Sequence, residues 1–144
     1  APPDFNALID ASKVSGERSA DFMKWRVEQN PRDRIRTLLI HEEDRFAGYA
    51  VCKSAGSAVE VTEIRLKEPK KAYINALLKY IHRQAWGASV DFWCFGESAI
   101  ERALPRIGFF RRTFTGALFV HNIAPFGLPA APNAWDITYL DSDW

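Results

Sequence analysis

The sequence predicts an α/β (α+β) domain with a mixed, mostly antiparallel sheet, a central βαβ crossover and flanking helices. The main observation is a run rich in β-branched residues, Ala58–Leu66, followed by a helical repeat and then by the almost entirely apolar segment Val90–Phe95. A continuous apolar strand is typical of one that is covered on both faces, as in parallel pairs. Hydrophobic residues make up 47% of the chain and aromatic residues 13%, which excludes a disordered chain.

The crossover helix is predicted between Pro69, which is favoured in a first helical turn, and Gly87, which stands at the expected C-cap. Its apolar residues recur at helical spacing: Ile74, Leu77, Leu78, Ile81 and Ala85. Backbone N–H groups and the helix dipole converge at a helix N-terminus and favour anions there. Lys67, Lys70 and Lys71 therefore lie where a phosphate would bind, although exposed lysines at a helix start also occur without any ligand.

A helix and a hairpin precede the crossover. Ser19 is the expected N-cap of a helix over Ala20–Glu28, which Asn30-Pro31 ends. The short polar loop between Ile35–His41 and Phe46–Lys53 predicts that these two strands are antiparallel. The first strand of the crossover unit then continues this meander.

A helix and further strands follow the crossover. The helix is predicted from Ala99 to about Arg106, with Gly108 just past its end. Phe109–Thr113 and Ala117–His121 are predicted to form a hairpin, and Trp135–Leu140 a last extended segment.

The length of 144 residues predicts one domain. We expect residues 1–17 to be a loose N-terminal segment in which Phe5, Leu8 and Ile9 form a short helix that docks on the core. Residues 18–144 then form the domain proper. Because the sequence starts at Ala1 without a methionine, we expect it to be one part of a longer protein.

Composition argues against several function classes. A net charge of +1, with 19 basic and 18 acidic residues, predicts neither a nucleic-acid partner nor an anionic membrane. No apolar run is long enough to span a bilayer, and no signal peptide is recognisable. Cys52 and Cys94 fall inside predicted strands and are interpreted as buried thiols of a cytoplasmic protein. His41, His82 and His121 are widely separated, so no metal site is expected.

Several short segments, in their order and spacing, match one known family over most of the chain from Phe22 onward. They are Phe22-x-x-Trp25-Arg26 with Asn30-Pro31, Leu38-Leu39-Ile40, Gly48-Tyr49-Ala50-Val51, Gly108-Phe109, Trp135-Asp136-Ile137-Thr138 and Asp141-Ser142-Asp143-Trp144. With the order of elements, they resemble the GNAT-type N-acetyltransferase fold without its first strand. More narrowly, the chain resembles the C-terminal domain of bacterial GNAT-like proteins, some of them related to FemAB-like transferases.

This resemblance implies an acyl-CoA-dependent N-acyltransferase with acetyl-CoA as co-substrate and a small amine as acceptor. It implies that the two parallel strands splay, so that the backbone at Ile64 and Leu66 pairs with the pantetheine arm. It also implies that Lys70, Lys71 and Ala72, at the start of the crossover helix, hold the pyrophosphate.

Glu63 lies on the strand where several GNAT enzymes keep a general base, so the resemblance implies that it accepts the proton of the acceptor amine. Glu60 competes for the same role. The alternative for both is a structural carboxylate, on an exposed strand face or paired with Arg65.

The chain departs from the family at two places. The pyrophosphate loop of GNAT enzymes has the pattern Gln/Arg-x-x-Gly-x-Gly/Ala, and Pro69, Ala72 and Ile74 stand at its three defined positions here. Many GNAT enzymes place a proton-donating tyrosine shortly before the Gly-Phe pair, where this chain has Leu104. These departures motivate a second hypothesis, a non-catalytic GNAT-fold domain that docks on or supports a catalytic GNAT half or another partner protein.

Overall fold

Three short helices and two sheets make up the described part of the computed structural model, which comprises residues 3–30, 34–84, 89–94, 98–112 and 134–136. The elements in chain order are a 3₁₀ turn Asn6–Leu8, β1 Val14–Ser15, α1 Ala20–Met23 continued by a π-helical segment Lys24–Glu28, β2 Ile35–Glu42, β3 Arg45–Ala55, β4 Ala58–Leu66, α2 Lys71–Arg83, β5 Ser89–Phe92, α3 Ala99–Ala103 continued by a 3₁₀ segment Leu104–Ile107, and β6 Trp135–Asp136.

The main sheet has the strand order β2-β3-β4-β5. β2, β3 and β4 are successive antiparallel neighbours, and β5 lies parallel to β4 after the crossover through α2. The predicted fold class, a mixed and mostly antiparallel sheet with a central βαβ unit and flanking helices, is confirmed. A separate parallel pair joins β1 to β6.

The two faces of the main sheet are covered by different parts of the chain. Leu77 and Ile81 of α2 pack on one face against buried residues of β3 and β4, among them Val59 and Val61. Phe5, Met23 and Val27 pack on the other face against Tyr49 and Val51. The predicted short helix near Phe5 therefore exists and docks on the core.

A β-bulge in β4 decides which side chains reach which face. Val51 pairs with Glu63 but Cys52 pairs with Val61, so Thr62 is an extra residue in the ladder. One extra residue reverses the alternation of side chains beyond it. Ile64 consequently packs in the same cluster as Val61, on the α2 side, and Glu63 is placed on the opposite face.

Most of the predicted ends of helices and strands before and after the crossover are close to the observed ones. Ser19 caps α1 by accepting a hydrogen bond from the Phe22 N–H at 3.2 Å, and the helix ends near Glu28 as predicted. The segment after α3 ends at Gly108, whose φ of 99° is in the left-handed region that glycine favours. The predicted strand Val90–Phe95 is shorter, because regular pairing stops at Phe92.

Some predictions fall outside the described residues or are wrong. The predicted strand Phe109–Thr113 is wrong over its described residues 109–112, which form no strand. The strand Ala117–His121 lies outside the described residues, as do the C-cap Gly87 and all of Trp135–Leu140 beyond Asp136. Cys52 is buried as predicted, and burial raises the pKa of its thiol to about 12. Cys94 is exposed, so the prediction of a second buried thiol is wrong. Within the described ranges, no helix has the length and apolar character needed to cross a membrane.

Candidate functional site

The strand β5 pairs with only the first half of β4. Their pairing runs from Ala58 opposite Ser89 to Val61 opposite Phe92. One further backbone bond follows, from the Trp93 N–H to the Val61 carbonyl oxygen at 3.0 Å. Because β4 continues to Leu66 and leads directly into α2, its second half borders a space that β5 does not fill.

A cleft of about 150 Å³ lies beside the second half of β4. It is lined by Leu8, Ile64, Arg65, Leu66, Pro69, Ala99 and Ile100. The structure thus brings the predicted pantetheine residues Ile64 and Leu66 together in one cleft, near the start of α2. The sequence reasoning missed Leu8, Ala99 and Ile100, whose apolar side chains carry no chemical motif and are placed here only by the fold.

Glu63, the predicted catalytic base, lies in a buried ion-pair network. Arg18 Nε donates to both carboxylate oxygens at 3.0 Å, and Arg18 Nη2 donates to Oε2 at 2.9 Å. Arg65 Nε donates to Oε1 at 3.2 Å, and the Tyr49 hydroxyl donates to the same oxygen. The side chains of Arg18 and Glu63 are both 0% exposed. The carboxylate is therefore saturated with donors from the protein itself.

The surroundings of Tyr49 keep its hydroxyl in the donating form. Burial, with the nearby Glu63 carboxylate as the next cause, raises the pKa of Tyr49 well above its ordinary value. The sequence left two structural roles open for Glu63, a carboxylate on an exposed strand face or one paired with Arg65. The structure shows the pair with Arg65, and the Glu63 side chain is not exposed. Glu60 lies in the paired half of β4, opposite Lys53, and is not among the residues that line the cleft.

The role of Arg18 was not foreseen from the sequence. It lies just before α1 and is 45 positions from Glu63, so no local spacing connects the two residues. Its backbone N–H also donates to Asn6 Oδ1 at 2.7 Å, which ties the N-terminal segment to the same network.

Two carboxylates surround Lys70 at the start of α2. Lys70 Nζ is 3.1 Å from both oxygens of Glu42 and 3.4 Å from Glu68. Tyr73 donates its hydroxyl hydrogen bond to Glu42 at 2.9 Å. Hydrogen bonding with Tyr73 and Glu42 raises the pKa of Lys70, and hydrogen bonds from Lys70 and Tyr73 lower the pKa of Glu42. The sequence reasoning had placed Glu42 in the hairpin turn and missed this pairing.

Lys71 and Ala72, the other residues predicted at the pyrophosphate, are exposed in the first turn of α2. The N-cap of this helix makes no side-chain capping bond, and its first turn has no acidic residue. Among the described residues, no group of three or more His, Cys, Asp or Glu side chains could hold a metal ion.

Comparisons with known proteins find solved structures that are similar to part of this chain. No protein-family model matches the sequence, and no curated protein matches it. Among solved structures, TTHA1254 from Thermus thermophilus, determined as a point mutant, is similar with a TM-score of 0.47 and 21% identity, over 61% of this chain and 72% of that chain. An acetyltransferase of Trypanosoma brucei is similar with a TM-score of 0.43 and 16% identity, over 65% of this chain and 74% of that chain. The fold class itself rests on the strand order described above.

Proposed function

We propose that the chain is a GNAT-like domain that binds acyl-CoA in the cleft beside β4 and transfers the acyl group to an amine acceptor. The cleft beside the half of β4 that does not pair with β5 is the observation that carries this proposal. The amide groups of a pantetheine arm can bond to the backbone edge of a strand, as an added peptide strand does. Acetyl-CoA is the co-substrate that we expect.

This placement gives a position to each end of the acyl-CoA ligand. The pantetheine arm lies along Ile64 and Leu66, and the pyrophosphate lies at the start of α2 beside Lys71 and Ala72. Lys70 belongs to the same site but is shared with Glu42 and Glu68. The pyrophosphate therefore has to compete with two carboxylates for Lys70, whereas Lys71 stands exposed beside it.

Catalysis by Glu63 is the less supported part of the proposal. A general base must come within hydrogen-bond reach of the proton that it accepts. A substrate amine would have to displace Arg18, Arg65 or Tyr49 from the carboxylate to do so. We retain Glu63 as the candidate base for the enzyme hypothesis and note that its contacts suit a structural carboxylate better.

A second candidate function is a non-catalytic GNAT-fold domain that docks on or supports a catalytic GNAT half or another partner protein. One observation favours it: Glu63 and Lys70, which would carry the chemistry, both form ion pairs within the chain.

Titration with acetyl-CoA, followed by backbone amide chemical shifts, tests the proposal. We expect saturable binding with the largest shifts at residues 63–72. Replacement Ala99→Trp fills the cleft and should weaken binding at least about tenfold, since the ligand loses its place beside β4. The control is Ser57→Trp, an exposed position in the turn at the opposite end of β4, which should leave the affinity unchanged.

The outcomes separate the two candidates. No binding at millimolar acetyl-CoA would reject the acyl-CoA proposal and leave the non-catalytic domain. Equal binding by the Ala99→Trp variant and the unaltered protein would show that the ligand sits elsewhere. Release of free CoA thiol on addition of primary amines would show transfer rather than binding alone.

A further inference from the structure

The exposed face of α2 concentrates positive charge. Residues 67–83 hold five of the 19 Lys and Arg residues of the chain but only one of its 18 Asp and Glu residues. α2 itself, KAYINALLKYIHR, has no acidic residue. A protein with a net charge of only +1 therefore carries a locally basic surface, and its compensating negative charge lies in other parts of the chain.

The orientation of α2 on the sheet fixes which residues form this surface. Tyr73, Ile74, Leu77 and Ile81 are buried. The remaining residues of the basic face are exposed: Lys71, Lys79, His82 and Arg83. We call these four residues the α2 basic face.

Within the part of the chain that the structure describes, no member of the α2 basic face forms an ion pair. Lys79 and Arg83 lie one helical turn apart and repel each other. Lys71 lies at the N-terminus of the helix, where the macrodipole disfavours a positive charge. His82 and Arg83 lie in the last turn, where the macrodipole favours positive charge. The charge of Lys71 and the repulsion between Lys79 and Arg83 are the unfavourable contributions, and a negatively charged partner would relieve them.

We propose that the α2 basic face is a docking surface for an acidic segment of another protein. Tyr80, 44% exposed, lies next to Lys79 and gives the face an aromatic contact among the charges. Tyrosine and arginine are enriched in protein–protein interfaces, where an aromatic side chain is covered and the charges form the rim. A partner helix with carboxylates one turn apart would match the step of about 6 Å between Lys79 and Arg83.

The other classes of anionic partner fit this face less well. A helix that binds a bilayer surface inserts its apolar side chains, and those of α2 are already buried against the sheet. Nucleic-acid surfaces depend on many phosphate contacts and on stacked aromatic residues. The α2 basic face offers only three permanent positive charges and one exposed aromatic neighbour. The proposal deepens the second candidate function, because it names the docking surface and the chemistry of the partner. It does not depend on acyl-CoA binding, although Lys71 also lies at the proposed pyrophosphate position.

Binding of poly-L-glutamate, a single-stranded oligonucleotide and phosphatidylserine vesicles to the whole chain tests this proposal. We expect poly-L-glutamate to bind most tightly, with an affinity that falls as salt is added. The double replacement Lys79→Glu with Arg83→Glu should weaken it at least about tenfold. The matched control is Arg102→Glu with Arg106→Glu, the same charge change at exposed positions in and after α3, which should change the affinity less than about twofold.

Three results would overturn the proposal: no binding of poly-L-glutamate, equal losses in the two double variants, or tighter binding of the oligonucleotide or the vesicles. A folding defect is separated from the expected result by the single replacement Lys79→Gln, which removes the repulsion between positions 79 and 83. This variant should bind poly-L-glutamate more weakly, while its melting temperature stays equal to or above that of the unaltered protein. Unchanged binding by Lys79→Gln, or a lower melting temperature together with lost binding in that variant, would also count against the proposal.

Discussion

At the scale of single residues, the Arg18–Glu63 pair is the feature with the largest consequence. Two charges that are fully removed from water must be well paired to persist, and here two guanidinium groups and a hydroxyl surround one carboxylate. Arg18 belongs to the loop before α1 and Glu63 to β4. The pair therefore fastens the N-terminal segment to the middle of the sheet.

Replacement Arg18→Met should destabilise the protein by about 3 to 5 kcal/mol, because it leaves a buried carboxylate without its main partner. Urea denaturation followed by tryptophan fluorescence measures the change. Arg102→Met, at an exposed position of α3, is the control and should stay within about 0.5 kcal/mol of the unaltered protein. A loss below about 1 kcal/mol for Arg18→Met would mean that the pair is not buried as described.

The sequence could identify Glu63 as a special residue but not its environment. A carboxylate in a largely apolar strand is a candidate for chemistry, although Glu60 of the same strand shares that property, and Arg65, two positions after Glu63, was a visible partner. Arg18 was not, because a contact across 45 positions depends on where a loop folds back. The same limit applies to Lys70 at the start of α2, whose partner Glu42 lies at the end of β2.

At the scale of elements, the approach of β3 to the end of β4 requires a glycine. Gly48 lies opposite Leu66. A Cβ added there would overlap the Arg65 carbonyl oxygen and come within 2.7 Å of a Leu66 side-chain carbon. The backbone oxygen cannot move aside without disturbing the ladder, so this glycine shapes the strand end that borders the cleft.

Replacement Gly48→Ala should therefore cost about 1 to 3 kcal/mol of stability, as overpacking does elsewhere. It should also shift the amide resonances of Arg65 and Leu66. Ser54→Ala, at an exposed position of the same strand, should change the stability by less than about 0.5 kcal/mol. Normal stability of the Gly48 variant with unchanged resonances would show that the strands are further apart than described.

Element types were predictable here because periodicity is strong, whereas strand geometry was not. The helical repeat of α2 and the short loop of the β2–β3 hairpin each depend on residues that are close together in the sequence, so they can be recognised without the rest of the fold. In the sequence, the bulge at Thr62 is visible only as a spacing of three residues, instead of two, between Val61 and Ile64, whose side chains pack on the same face. Pairing between β4 and β5 extends only to Phe92, with one further backbone bond from Trp93 to Val61, and no residue pattern announces where it stops.

At the scale of the whole molecule, the sheet is a shared middle layer. One face supports α2 and the other supports the N-terminal segment, and β3 contributes to both clusters through alternating residues such as Tyr49 and Ala50. Phe5 contacts Tyr49 edge-on, with ring centroids 5.0 Å apart. Residues on both sides of the predicted boundary at 17 thus attach to the same strands.

Hydrogen exchange tests whether residues 1–17 are a loose segment or part of the cooperative fold. The Arg18 amide, bonded to Asn6 Oδ1 at 2.7 Å, reports on the N-terminal segment, and the Leu77 amide reports on α2. Because Phe5 and Arg18 anchor the segment at both ends, we expect the two amides to open with free energies within about 1 kcal/mol of each other. Phe5→Ala should lower the protection of the Arg18 amide more than that of Leu77. Fast exchange at Arg18 in the unaltered protein, with Leu77 still protected, would instead place the start of the cooperative fold after the N-terminal segment.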